Sequence, residues 1–205
     1  MYSFAMLRLR SLCPVLAVCL PLVACAPGLP FAGGGLREIK VLDGGLTIPA
    51  PRGYCIDAEA SVAHGDAITV LMGRCVAQGG VAAAVVSMTV GPPASAGVLV
   101  AGPDALASFF SSTAGRKVLS RDGKARHLEV LQALVDEGSL LLHLQDKTVG
   151  EYWRAITAVR GRLVTISASG VEAAPLTPDQ GLKLVRDEMA LLARRNPEHR
   201  IPAAQ

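Results

Sequence analysis

The chain of 205 residues has the length of one domain, or at most two, and its apolar content of 51% is ample for a hydrophobic core. Aromatic residues make up only 4%, which leaves little material for the stacking surfaces that bind single-stranded nucleic acids or sugars. Of the formal net charge of +3, Arg8 and Arg10 contribute two units, so the nearly neutral remainder gives no electrostatic argument for nucleic acids or acidic membranes as partners.

The N-terminal residues 1–24 have the pattern of a secretory leader. Two arginines precede an apolar run over residues 11–23, which ends in small residues. A helix of about 14 residues here would cover roughly 21 Å, well short of a hydrocarbon core of about 30 Å, and Pro14 and Pro21 interrupt the run. A cleaved leader is therefore favoured over a permanent transmembrane helix.

The sequence Leu-Val-Ala-Cys at residues 22–25 resembles the lipobox of bacterial lipoprotein signal peptides. The resemblance implies that residues 1–24 are removed, and that Cys25 receives a diacylglyceryl group and fatty acids such as palmitate. It also implies a periplasm-facing protein at the outer membrane rather than the inner one, because residue 26 is Ala and not Asp. An ordinary cleaved leader with a cysteine near the cleavage point is the alternative.

The remaining cysteines form a single pair, Cys55 and Cys75. An even remainder fits an oxidising compartment, so a disulfide bond between them is predicted. A bond that closes a loop of about 20 residues stabilises a domain by roughly 3 kcal/mol in the chain-entropy model. Two buried free thiols, or a metal site that includes His64, are the alternatives. No Cys-x-x-Cys spacing supports a metal, and we expect neither a metal nor a cofactor.

Residues 25–35 are rich in Pro and Gly and predict a tether that leads to a globular domain over residues 36–196. Short apolar runs separated by turn residues then indicate strands, and dipeptides such as Asp-Gly favour tight reversals between antiparallel neighbours. The predicted strands cover residues 39–42, 46–48, 67–74, 82–90, 116–120, 127–135, 140–147, 153–160 and 163–169.

Two helices are predicted, over residues 103–112 and over Pro178–Arg195. Thr177 and Gln180 have the spacing of a capping box at the start of the second helix. An apolar stripe along this helix is expected to pack on the sheet. The stripe consists of Leu182, Val185, Met189 and Leu192. Residues 197–205 are expected to form a C-terminal tail.

These elements predict an α+β fold in which a mainly antiparallel sheet is covered by about two helices in a single domain. Their order over residues 100–195 resembles the PsbP-like arrangement, whose members generally act as binding or assembly factors. Residues 53–57 and 70–75 resemble segments of uncharacterised proteobacterial lipoproteins, which have no assigned activity.

Residues 152–154 are the candidate binding residues. Tyr152, Trp153 and Arg154 combine aromatic rings with a cation, which is the composition of interface anchors. In the alternative interpretation Trp153 fills the core beneath the C-terminal helix, while Tyr152 and Arg154 line the outer face of the sheet. His143 is expected on a strand and half exposed. The sequence has none of the common hydrolase or nucleotide-binding motifs, so no catalytic residue is predicted.

The sequence therefore predicts a lipid-anchored cell-envelope protein of unassigned molecular function, acting as a non-catalytic binding or assembly module. Its expected partners are the membrane, through the N-terminal lipid, and another envelope protein, with no nucleic acid. A carrier of an unidentified small ligand, or an unrecognised periplasmic enzyme, is the alternative.

Overall fold

The computed structural model describes residues 35–75 and 80–197. The predicted leader, Cys25 and most of the tether lie outside these residues, as does the tail beyond residue 197. The strands in chain order are β1 (Glu38–Val41), β2 (Leu46–Pro49), β3 (Tyr54–His64), β4 (Ala67–Arg74), β5 (Ala84–Val90), β6 (Leu128–Asp136), β7 (Ser139–Asp146), β8 (Gly150–Val159) and β9 (Arg162–Gly170). The helices are α1 (Pro103–Ser111), α2 (Thr113–Leu119) and α3 (Pro178–Arg195), with short 3-10 turns at Ser95–Ala101 and Ala125–His127.

Seven strands form one antiparallel sheet in the order β3-β4-β5-β9-β8-β7-β6, and β1 pairs with β2 in a separate hairpin. On the first face, α3 and the β1–β2 hairpin cover the main core, to which Trp153, Ile166 and Leu192 contribute. On the second face, α1 and α2 cover a smaller core around Leu142 and Tyr152 near β6 and β7. The α+β class, the antiparallel sheet and the single domain are thus confirmed.

The structure corrects one predicted element and adds another. Of the predicted strand over residues 116–120, residues 116–119 lie in α2 and are helical, and Ser120 is the C-cap. The Ser112 hydroxyl accepts a hydrogen bond from the Gly115 amide and caps this helix. The long strand β3 was not predicted, since Asp57 and Glu59 interrupt its apolar pattern where the register shifts against β4.

Helix α3 has the predicted bounds and the predicted cap. The Thr177 hydroxyl accepts a hydrogen bond from the Gln180 amide, and the Gln180 side chain accepts one from the Thr177 amide. At the other end, Asn196 bonds to Thr47 of β2 through both its side-chain oxygen and nitrogen. These bonds fix the helix along the sheet and hold the β1–β2 hairpin against its last turns.

Candidate binding surface

The second face of the sheet carries a surface of hydroxyl groups on β4, β5 and β9, which we call the hydroxyl surface. None of the described helices packs over β4 or β5. The hydroxyl side chains follow cross-strand rows, and Thr69 and Thr89 are 3.0 Å apart at their Oγ1 atoms. The surface consists of Thr69, Ser87, Thr89, Thr165, Ser167 and Ser169.

Arg154 lies at the border of the hydroxyl surface, on β8. Its guanidinium lies 5.4 Å from the centre of the Tyr152 ring, and its Nε donates a hydrogen bond of 2.9 Å to the Ser167 hydroxyl. It makes no ion pair within residues 35–75 and 80–197. A half-buried guanidinium that is held in place and lacks a carboxylate can bind an external carboxylate through its remaining N–H groups.

The three predicted binding residues do not share one face. Tyr152 and Arg154 point to the second face, and Trp153 points to the first, beneath α3. Tyr152 is buried in the smaller core, where burial raises the pKa of its hydroxyl and Arg154 opposes that effect. Of the three, only Arg154 offers polar atoms to a partner.

His143 was expected to be half exposed, but it is buried, with only 8% of its surface exposed. Its ring stacks on Trp153 at 4.7 Å between centroids with 3° between the planes, and its Nε2 lies 2.7 Å from Oε1 of Glu151. The adjacent cavity of about 10 Å³ has room for one water molecule at most. The cluster therefore positions Trp153 and leaves no space for a substrate.

A larger cavity of about 390 Å³ lies between α3, the β6–β7 turn and β8. Arg186 and Asp136 form an ion pair of 2.7 Å at its wall, and Ser139 donates a hydrogen bond to Thr157. The volume lies in the range of small-ligand sites. Sequence reasoning did not anticipate this cavity, because its walls come from four separate elements.

Glu188 is a second feature that the sequence analysis missed. Glu188 lies on α3, and its carboxyl group is fully buried and has no hydrogen-bond partner among the described residues. Burial raises its pKa to about 9, so the group is protonated at neutral pH. Helical spacing could have predicted the burial of Glu188, because Leu184 and Leu192 lie one turn on either side of it on the buried face of α3.

Cys55 and Cys75 are bonded, as predicted, with 5.2 Å between their Cα atoms. Nη1 of Arg37 lies 3.5 Å from Sγ of Cys75. Across the two described ranges, no three His, Cys, Asp or Glu side chains form a group that could hold a metal ion. In the same ranges, no helix combines the length and apolarity that crossing a bilayer requires.

No family model matches the sequence, and no curated protein matches it. Two solved structures are similar to the chain. The structure of the Saccharomyces cerevisiae Ran-binding protein Mog1p is 14% identical with a TM-score of 0.46, over 78% of this chain and 93% of that chain. A mutant of protein Mog1 is 13% identical, with the same TM-score and the same coverage. At these identities the similarity assigns no function to this chain.

Proposed function

We propose that this chain is a lipid-anchored cell-envelope protein that works by binding another envelope protein, and not by catalysis. The lipid is attached at Cys25, and the domain faces the periplasm, at the outer membrane rather than the inner one. The leader and the lipobox-like residues 22–25 support this location. The Cys55–Cys75 bond supports it as well, because disulfides persist in oxidising compartments.

The observation that carries the binding role is the combination of Arg154 with the hydroxyl surface. Such a surface offers many weak hydrogen bonds and one strong charged site. A partner that places a carboxylate over Arg154 would gain a charge-assisted pair in a partly desolvated position. The PsbP-like order of elements belongs to the same proposal, since members of that family generally act as binding or assembly factors.

Site-specific photo-crosslinking in cells tests the binding role. A photoreactive residue at Ser167 should give one defined protein adduct, and Arg154→Glu should abolish it by placing two like charges together. The same residue at Arg194, exposed on the opposite face of the molecule, serves as the matched control. Equal adducts from both positions, or an adduct that persists in Arg154→Glu, would remove the hydroxyl surface from the proposal.

A small-ligand carrier is the second candidate, and the 390 Å³ cavity favours it. Its lining combines the polar pairs Arg186–Asp136 and Ser139–Thr157 with small side chains of α3. Ala193→Trp would fill this cavity and should abolish ligand carriage without affecting crosslinking at Ser167. Native mass spectrometry of the purified protein would show a copurified small molecule only if this second function is correct.

A further inference from the structure

One layer of the molecule exposes large apolar side chains, and the stretch of sequence that leads into it is almost free of charge. We call the 3-10 turn Ser95–Ala101 together with α1 and α2 the helical layer. Between Arg74 and Arg116 the sequence contains a single charged residue, Asp104. Several large apolar side chains of this layer are exposed to solvent, and a group of such side chains on one surface often marks an interaction site. They are Val98 at 53% exposure, Val100 at 88%, Phe109 at 43% and Val118 at 70%.

A basic cluster borders the helical layer. Residues 116–126 contain five basic residues and one acid, Asp122. Asp122 pairs with Lys124 at 3.4 Å and with His127 at 2.7 Å. Within the described residues, Lys117, Arg121 and Arg126 make no ion pair. Because α2 packs against both α1 and the turn Ala125–His127, this basic cluster adjoins Val118 of α2 and the neighbouring helix α1, which carries Phe109.

We propose that the helical layer rests on an anionic phospholipid surface. The apolar side chains enter the headgroup region, and the basic cluster lies against the phosphates. Apolar insertion and electrostatic attraction together are the usual basis of interfacial binding. The whole domain is nearly neutral, but its basic residues are concentrated at positions 116–126, so this region can still be attracted to an anionic surface. The inference rests on the proposed function, since the lipid at Cys25 would bring the layer to the membrane. It places the partner of the hydroxyl surface, which lies on the same face of the sheet, next to the bilayer.

The charge pattern favours a bilayer over a second copy of the chain as the occupant. A second helical layer would offer this cluster only one acid, Asp104, so pairing two copies would leave most of the basic side chains without a complementary charge. An anionic surface instead complements Lys117, Arg121 and Arg126, which are exposed and make no ion pair within the described residues.

The point where the chain enters the domain also suits this orientation. Gly35 lies against Cys55 of β3. Since Tyr54 and Ile56 point into the core of the first face, the alternation of the strand directs Cys55 to the second face, which carries the helical layer at the other edge of the sheet. The tether from residue 25 to residue 35 spans at most about 35 Å, so the lipid and the helical layer can reach one bilayer.

Spin labelling of the mature protein, purified from membranes and reconstituted in vesicles, tests the proposal. The label is placed on Val100→Cys, or on Arg194→Cys of α3 as the matched control, because both side chains are exposed. On vesicles containing phosphatidylglycerol, the label at residue 100 should become more accessible to oxygen than to a water-soluble nickel chelate. The control label should stay in water. On pure phosphatidylcholine both labels should remain in water.

The triple variant Lys117→Glu, Arg121→Glu, Arg126→Glu should weaken binding of the helical layer to anionic vesicles about a hundredfold. Each basic residue near an anionic surface contributes roughly fivefold, and the three factors multiply. A label at residue 100 that stays in water on anionic vesicles would overturn the proposal. So would spin coupling between labels without vesicles, which would indicate a second copy. Intact mass shows separately whether the protein carries acyl chains at Cys25. If it carries none, the lipid-anchor proposal fails, but mixing the same protein with the same vesicles still shows whether residue 100 enters the headgroup region.

Discussion

Gly181 of α3 lies directly against the indole ring of Trp153: a Cβ at position 181 would come within 2.8 Å of Cδ1 of the ring. The ring cannot retreat easily, because His143 stacks on it from another side. The sequence uses a poor helix former at a buried helical position. This absence of a side chain allows α3 to approach the sheet closely at its first turns.

Gly181→Ala should lower the free energy of unfolding by about 1–2 kcal/mol, because the overpacking against Trp153 outweighs the gain in helix propensity. Urea denaturation of the variant measures the change. Trp153→Phe in the same background should reduce the penalty, since a smaller ring leaves room for the methyl group. A stabilising effect of Gly181→Ala alone would show that the contact is looser than the structure indicates.

The disulfide should make a separate contribution to stability. Replacing Cys55 and Cys75 by Ala should cost about 3 kcal/mol of unfolding free energy, because the unfolded chain regains the entropy of a 20-residue loop. Reduction of the native protein, followed by thermal unfolding, should give a loss of similar size. A loss below about 1 kcal/mol would contradict a structural role for the bond.

Glu188 should make stability depend on pH. Its pKa is raised from an ordinary value of 4.5 to about 9, so between these values the folded state binds a proton that the unfolded state has lost. The free energy of unfolding should therefore fall with rising pH through this window, by up to about 1.4 kcal/mol per pH unit. Comparing the wild type with Glu188→Gln, which cannot ionise, isolates this slope.

Glu188→Met tests the same group at fixed pH. An apolar side chain of similar length removes two unpartnered buried oxygens and should raise stability at pH 7 by about 1–3 kcal/mol. The neighbouring exposed acid Asp187 provides the control, since Asp187→Met should change stability by less than about 0.5 kcal/mol. Destabilisation by Glu188→Met would mean that the carboxyl group has a partner in solution.

The cap of α3 should also be measurable. Thr177→Ala removes the acceptor for the Gln180 amide and should cost about 1 kcal/mol in urea denaturation. Thr177→Asn keeps an acceptor at the same place and should stay within about 0.5 kcal/mol of the wild type. Equal losses in the two variants would assign the effect to packing rather than to capping.

Local patterns predicted most of the fold. The capping box and the terminal arginines set the bounds of α3, and alternating apolar residues with tight turns gave the hairpins from β6 to β9. The prediction failed at α2, where the apolar run at residues 116–120 is too short to distinguish a strand from a helix. The Ser112 cap and the close packing of Gly115 against the backbone of α1 favour the helix there, although the apolar run alone does not indicate it.

The candidate site was less accessible to sequence reasoning. The sequence places an aromatic and cationic group at residues 152–154, but alternation along β8 puts Trp153 on the opposite face of the sheet from Tyr152 and Arg154. The hydroxyl surface depends on the order of β4, β5, β9 and β8, and hence on pairing between residues far apart in the chain. The burial of His143 depends on Trp153 of the next strand in the same way.

Intact mass spectrometry tests the lipid anchor and the disulfide bond together. The protein is purified from membranes of its native or a related bacterial host and measured with and without reduction and thiol alkylation. A lipid-anchored envelope protein should give a mature chain that begins at Cys25 and carries acyl chains, with two thiols that react only after reduction. A full-length mass, or an unacylated soluble form with free thiols, would contradict the envelope location and the binding role that depends on it.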